Sequence, residues 1–176
     1  MKMEQKALGA IVAVVIVAAV IVGIWVVMNP GDGLVTRGPI TITSNDEFEL
    51  YSTSGNGTES NPYIIENFRI VLPDGPDQAC IYVGDTTAYF IIRYCDVTSL
   101  DGKSGIELSY ASNGIVMNCN ITDGTFGILV RVGDNVAILN NRLEGSYTGL
   151  YFLSTTNFVE AGNTFVDCDI ETVIVT

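Results

Sequence analysis

The chain has 176 residues, a formal net charge of −12 and no histidine. Without imidazole there is no Ser-His-Asp or Cys-His catalysis, and the commonest zinc and copper ligand is missing. The acidity excludes nucleic acid and anionic lipid headgroups as partners through like-charge repulsion, and it suits solubility, cation-rich surroundings or a neutral or basic ligand.

Residues 1–6 carry Lys2 and Lys6 beside Glu4, and residues 7–28 carry no charge. At 1.5 Å per residue a helix over that run spans roughly 33 Å, the thickness of a bilayer core. Lysines on the short flank and an acidic remainder predict a cytoplasmic N-terminus and an extracellular C-terminal domain at the cell membrane. A cleavable secretory signal has a shorter apolar region followed by a small-x-small site; here the run ends Ile24-Trp25-Val26-Val27-Met28, so an uncleaved single-pass anchor is expected. Lys6-Ala7-Leu8-Gly9-Ala10 also resembles the start of archaeal pilin-like precursors, in which a basic leader is cut just before the apolar helix. Residues 29–39, beginning Asn29-Pro30-Gly31-Asp32-Gly33, read as a linker.

Over 40–62 the sequence predicts an N-terminal cap. Ser44-Asn45-Asp46-Glu47 reads as a capping box opening a short helix through Leu50, which would cover the bare strand edges at the N-terminal end of a solenoid. From 63 to 176 the chain repeats. Gly105-Ile106, Gly127-Ile128 and Gly149-Leu150 recur 22 residues apart. Asn113–Ile121 aligns with Asn135–Leu143 and Asn157–Phe165. Earlier copies are Tyr89–Val97, followed by a small insertion near Ser99–Ser104, and Ile64–Ile70. β-branched runs alternating with period 2, broken by Gly, Asn and Asp, predict three short strands per repeat. Such strands are stable only when stacked, about 4.8 Å apart, as a parallel solenoid of about four to five coils. The predicted columns are Phe68, Cys95, Cys119, Asn141 and Asn163, then Ile70, Val97, Ile121, Leu143 and Phe165. The second faces the core, and Asn141 over Asn163 forms an inward asparagine ladder.

Ser54–Ile70, followed by the Gly-Ile and Asn-Cys repeats, resembles the NosD-like right-handed parallel β-helix family. The resemblance covers residues 40–176 and implies an all-β, right-handed solenoid related to carbohydrate-binding and sugar-hydrolase domains of archaeal surface proteins. NosD itself implies copper-site maturation, but the resemblance brings no ligand motif to this chain.

Clustered carboxylates on one exposed sheet are the pattern of polysaccharide-cutting β-helices. The catalytic candidates are Glu107, Asp134 and Arg131, with Asp85 and Arg93 behind them. Glu107 and Arg131 fall two and four residues after Gly105 and Gly127, so adjacent coils bring them to one face. With Tyr82, Tyr110, Tyr151 and Phe152 they make a candidate sugar-binding surface; the plain alternative is a solvated face with one cross-coil ion pair. Asp85 and Asp134 both lie in Val-Gly-Asp turns, which is ordinary turn chemistry. Cys95 and Cys119 read as buried thiols, the other readings being a disulfide or a thiolate metal site. Asn56-Gly57-Thr58 and Asn120-Ile121-Thr122 are glycosylation acceptors in an extracellular domain. No pattern calls for a cofactor or a resident metal.

The predicted function is non-catalytic binding of glycan or protein at the cell surface by a membrane-anchored module. Two alternatives stand beside it: a subunit self-associating through an open C-terminal coil, and a carbohydrate-active hydrolase or lyase.

Overall fold

Each repeat folds as three strands because its apolar runs are too short to bury anything alone. The computed structural model describes residues 33–176, so the expected anchor over 7–28, its cytoplasmic flank 1–6 and residues 29–32 lie outside the described residues. Among the described residues no helix is long and apolar enough to cross a membrane.

The strands are β1 Val35–Arg37, β2 Ile40–Ile42, β3 Tyr63–Glu66, β4 Phe68–Val71, β5 Ala79–Thr86 and β6 Phe90–Arg93. They continue as β7 Asp96–Thr98, β8 Ser104–Ala111, β9 Gly114–Met117, β10 Asn120–Thr122, β11 Phe126–Arg131 and β12 Ala137–Leu139. The last are β13 Arg142–Glu144, β14 Thr148–Leu153, β15 Val159–Ala161, β16 Thr164–Val166 and β17 Ile170–Val175. Every third strand falls in the same sheet: β1-β4-β7-β10-β13-β16, β2-β5-β8-β11-β14-β17 and β3-β6-β9-β12-β15. All neighbouring named strands pair in parallel, which is the topology of a β-helix.

The predicted core column is present, with Ile70, Val97, Ile121, Leu143 and Phe165 in register on successive first-sheet strands. From the second sheet come Ile81, Ile106, Ile128 and Leu150, and then Val83, Leu108, Val130 and Phe152. Ile65, Ile92, Val116 and Ile138 complete the interior from the third sheet. Asn67, Tyr94, Asn118 and Asn140 turn the chain from third sheet to first at φ 61°, 53°, 55° and 54°. Asn occupies most of these positions because its short polar side chain tolerates the left-handed region.

The Asn ladder also stands. Asn141 Nδ2 donates to Asn163 Oδ1 (3.1 Å) and to the Val116 carbonyl (3.0 Å), while Asn141 Oδ1 accepts from the Cys119 backbone N–H (3.0 Å). A second ladder, not expected from the sequence, joins the corner residues Asn113 and Asn135 at 2.8 Å.

Two boundaries move. The stretches read as linker and cap contain β1 and β2, which pair with β4 and β5, so the solenoid starts about 28 residues before Tyr63. The expected helix is a 3-10 helix over Asn45–Leu50 between β2 and β3, and not a separate lid. Ser44 makes no capping side-chain bond; the Glu47 carboxylate instead accepts from the Thr43 backbone N–H (2.6 Å) and hydroxyl (3.0 Å). Phe48 anchors the insertion by entering the core, stacked on Tyr63 at 4.9 Å and tilted against Phe90 at 5.3 Å. A further apolar stack lies on the other side of the third sheet, where Ile64, Ile91, Ile115 and Ala137 share a column beside Met117 and Leu139.

Candidate functional site

The second sheet has the longest strands, two of them eight residues, and so the broadest outer wall. Strand alternation sends Val83, Leu108, Val130 and Phe152 inward and the residue before each of them outward. The resulting outer column, one residue per coil, is Tyr82, Glu107, Leu129, Tyr151 and Val173. A parallel column holds Gly84, Ser109, Arg131, Leu153 and Val175. Phe126, at the start of β11, meets Tyr151 edge-on with ring centroids 5.1 Å apart.

The cross-coil ion pair sits in this wall. Arg131 Nε lies 3.4 Å from Glu107 Oε1, and the Ser104 hydroxyl donates to Glu107 Oε2 at 3.5 Å. The Glu107 side chain is only 7% exposed and that of Arg131 48%. Burial pushes the Glu107 carboxyl above its ordinary value, while Arg131 and the Ser104 hydroxyl pull it back. A near-buried carboxylate held beside a half-exposed guanidinium is costly to keep, and such groups cluster at functional sites.

Tyr82 forms the other end of the wall. A Cβ at Gly84 would stand 2.6 Å from the Tyr82 hydroxyl and 2.7 Å from its ring. The ring therefore lies along its own strand over a glycine, a flat half-buried aromatic platform. From Tyr82 to Tyr151 is three coil steps, roughly 14 Å at strand spacing.

The remaining candidates lie elsewhere. Phe152 points into the core, 1% exposed and stacked on Phe158 at 4.3 Å, because it follows Tyr151 on an alternating strand. Tyr110 and Asp85 share a left-handed corner at the end of the second sheet, with Tyr110 62% exposed. Asp134 stands in the turn after β11, where its Oδ1 accepts from the Thr156 hydroxyl and the Asn157 amide, both at 2.7 Å. That is a coil-to-coil tie. Arg93 pairs with Glu66 at 2.7 Å on the third sheet. Tyr82 and Leu129 are in register with Glu107, and Ser109, two residues on, is in register with Arg131, so these nearest positions carry no second carboxylate. Leu129, 1% exposed at the centre of the wall, and Phe126 were missed in the sequence, although the 22-residue register with Glu107 points to the first.

All four cysteines are free, with Cys80, Cys95 and Cys119 buried. Burial pushes the Cys80 thiol up to about 12 and raises that of Cys119 well above its usual value. Cys80 and Cys119 are therefore protonated core thiols, while the hydrogen bond from Cys119 lowers the pKa of the equally buried Cys95. Among the described residues no three His, Cys, Asp or Glu side chains gather as metal ligands. The acceptors Asn56 and Asn120 are both exposed, in a loop and on β10 respectively.

No match is found among curated proteins or solved structures. The family model described as right handed beta helix region matches residues 53–175, which span the repeat and this wall. The chain therefore belongs to the right-handed β-helix family.

Proposed function

We propose that this chain is a membrane-anchored extracytoplasmic module that binds a glycan along the outer wall of its second sheet without cleaving it. The observation that carries the reading is the Tyr82–Glu107–Leu129–Tyr151 column with Arg131 beside it. Tyr82 and Tyr151 offer stacking surface to sugar rings on either side of the buried Leu129, and the half-exposed Arg131, held by Glu107, offers donors to their hydroxyls. Among the described residues the register positions next to Glu107 hold Tyr82 and Leu129 and no second carboxylate, which favours binding over hydrolysis. The uncharged run over 7–28 supplies the anchor, and Asn56 and Asn120 are then open to glycosylation outside the cell.

The test is a glycan array probed with the full chain in lipid nanodiscs. At least one glycan class is retained, and Tyr151→Ala lowers binding about tenfold or more with its circular dichroism unchanged. Absence of binding to every glycan, or full binding by the variant, removes the reading. Alkaline extraction of membranes expressing the full chain tests the anchor: the protein stays with the lipid, and its release would show a peripheral attachment.

A further inference from the structure

At the start of the solenoid, away from the outer wall of the second sheet, the loop between the 3-10 helix and β3 meets the turn between β5 and β6. An open surface depression of about 430 Å³ lies between them, lined by the exposed Asn45, Asn56, Thr58, Glu59 and Thr87 and the half-buried Tyr89 among others. We propose that this depression is a second ligand site, taking one uncharged saccharide unit. The proposal rests on the glycan-binding reading only for its ligand class, since no residue is shared between the two sites.

The depression is built by fixed contacts. The Tyr89 backbone N–H donates to the Gly57 carbonyl (2.9 Å) and the Tyr63 N–H to the Tyr89 carbonyl (2.9 Å), tying loop and turn to β3. Gly57 adopts φ 78°, and a Cβ there would stand 2.5 Å from the Tyr63 ring, so the loop closes on that ring only because residue 57 is glycine. The Asn113 amide donates to the Thr87 carbonyl at 2.9 Å, fixing the turn from the next coil.

The polar groups left over set the ligand class. Asn45 Oδ1 accepts from the Thr86 hydroxyl (2.6 Å) and the Thr87 N–H (3.3 Å). Asn56 Oδ1 accepts from the Thr58 hydroxyl (2.8 Å) and N–H (3.4 Å). Both amide oxygens are thus taken by the protein, no hydrogen bond from either NH₂ is found among the described residues, and Thr87, Tyr89 and Glu59 line the same depression. Donors and acceptors in one small depression match a molecule whose hydroxyls both give and take hydrogen bonds. No Lys or Arg lines the depression, which disfavours an anion, and one carboxylate is too few for a metal ion. The volume is near the lower end for small-molecule sites and fits a single ring.

The experiment is NMR titration of the isotope-labelled full chain in nanodiscs, made in a host without N-glycosylation so that the Asn56 amide stays free. The probes are glucose, galactose, mannose and N-acetylglucosamine, each to about 50 mM, since one small polar ring binds in the millimolar range. At least one sugar shifts the resonances of Asn45, Asn56–Glu59 and Thr87–Tyr89 saturably. Asn45→Asp and Asn56→Asp keep the internal acceptor oxygen and remove the donor, and each weakens that binding at least about fivefold. Tyr151→Ala leaves it unchanged. Shifts confined to Leu129, Arg131 and Tyr151 would overturn this second site while leaving the wall in place. Absence of any shift in the depression, or shifts there indifferent to both Asp variants, would overturn it as well.

Discussion

Glu107 and Asn141 are both polar and buried, 5% and 1% exposed, yet they differ in what surrounds them. Asn141 has its oxygen and nitrogen bonded to backbone and to Asn163. Asn141→Leu strands the Cys119 N–H and the Val116 carbonyl away from water, an expected loss of about 2–4 kcal/mol in chemical denaturation. Glu107 is served by one long ion pair and one long hydrogen bond. Its carboxyl titrates above the unfolded value, so the native state binds the extra proton between the two pKa values. Stability therefore falls as pH rises through that window and stays lower above it. Glu107→Gln removes this loss: relative to wild type, its melting temperature rises as pH climbs above the ordinary carboxyl range. A variant that loses stability against wild type as pH rises would show the ion pair outweighing burial. The asparagine ladder was legible in the sequence because both residues fall in one column of the repeat. The near burial of Glu107 was not, because it depends on Leu129 and Tyr82 in neighbouring coils, and composition alone reads that column as solvated.

Gly105, Gly127 and Gly149, each the second residue of its strand in β8, β11 and β14, decide how tightly these coils stack. A Cβ on Gly127 would stand 2.7 Å from the Gly149 carbonyl and 2.6 Å from Leu143 Cδ2. Gly127→Ala therefore pushes backbone apart, and a loss of about 2–4 kcal/mol is expected in the same denaturation assay; a neutral substitution would mean the coil spacing is not set there. The 22-residue recurrence of this glycine made the repeat readable, and with it the strands from Tyr63 onward. The first coil was hidden for a physical reason. Val35–Arg37 and Ile40–Ile42 are three-residue strands separated from β3 by a 20-residue insertion, so neither the period nor the alternation extends to them. Ser44-Asn45-Asp46-Glu47 carries a capping signature, but Glu47 turned to Thr43 and a 3-10 helix formed. Phe152 was misplaced by a single residue of alternation: Tyr151 faces out, so its neighbour faces in.

At the scale of the molecule, the acidity and the missing histidine restrict the chemistry, and the solenoid supplies a long wall in place of a deep cleft. Five described coils and two strands of a sixth give a surface on which one residue per coil repeats at roughly sugar-ring spacing. The proposed binding of an extended glycan rests on that geometry. The most direct measurement is calorimetric titration of the nanodisc-held full chain with an oligosaccharide of the class it retains, followed by chromatography of the recovered sugar. The account predicts saturable binding, affinity rising until the oligosaccharide covers the roughly 14 Å from Tyr82 to Tyr151, unchanged sugar length, and loss of binding in Tyr151→Ala. Shortened sugars whose formation stops in Glu107→Gln, or binding that survives Tyr151→Ala, would contradict it.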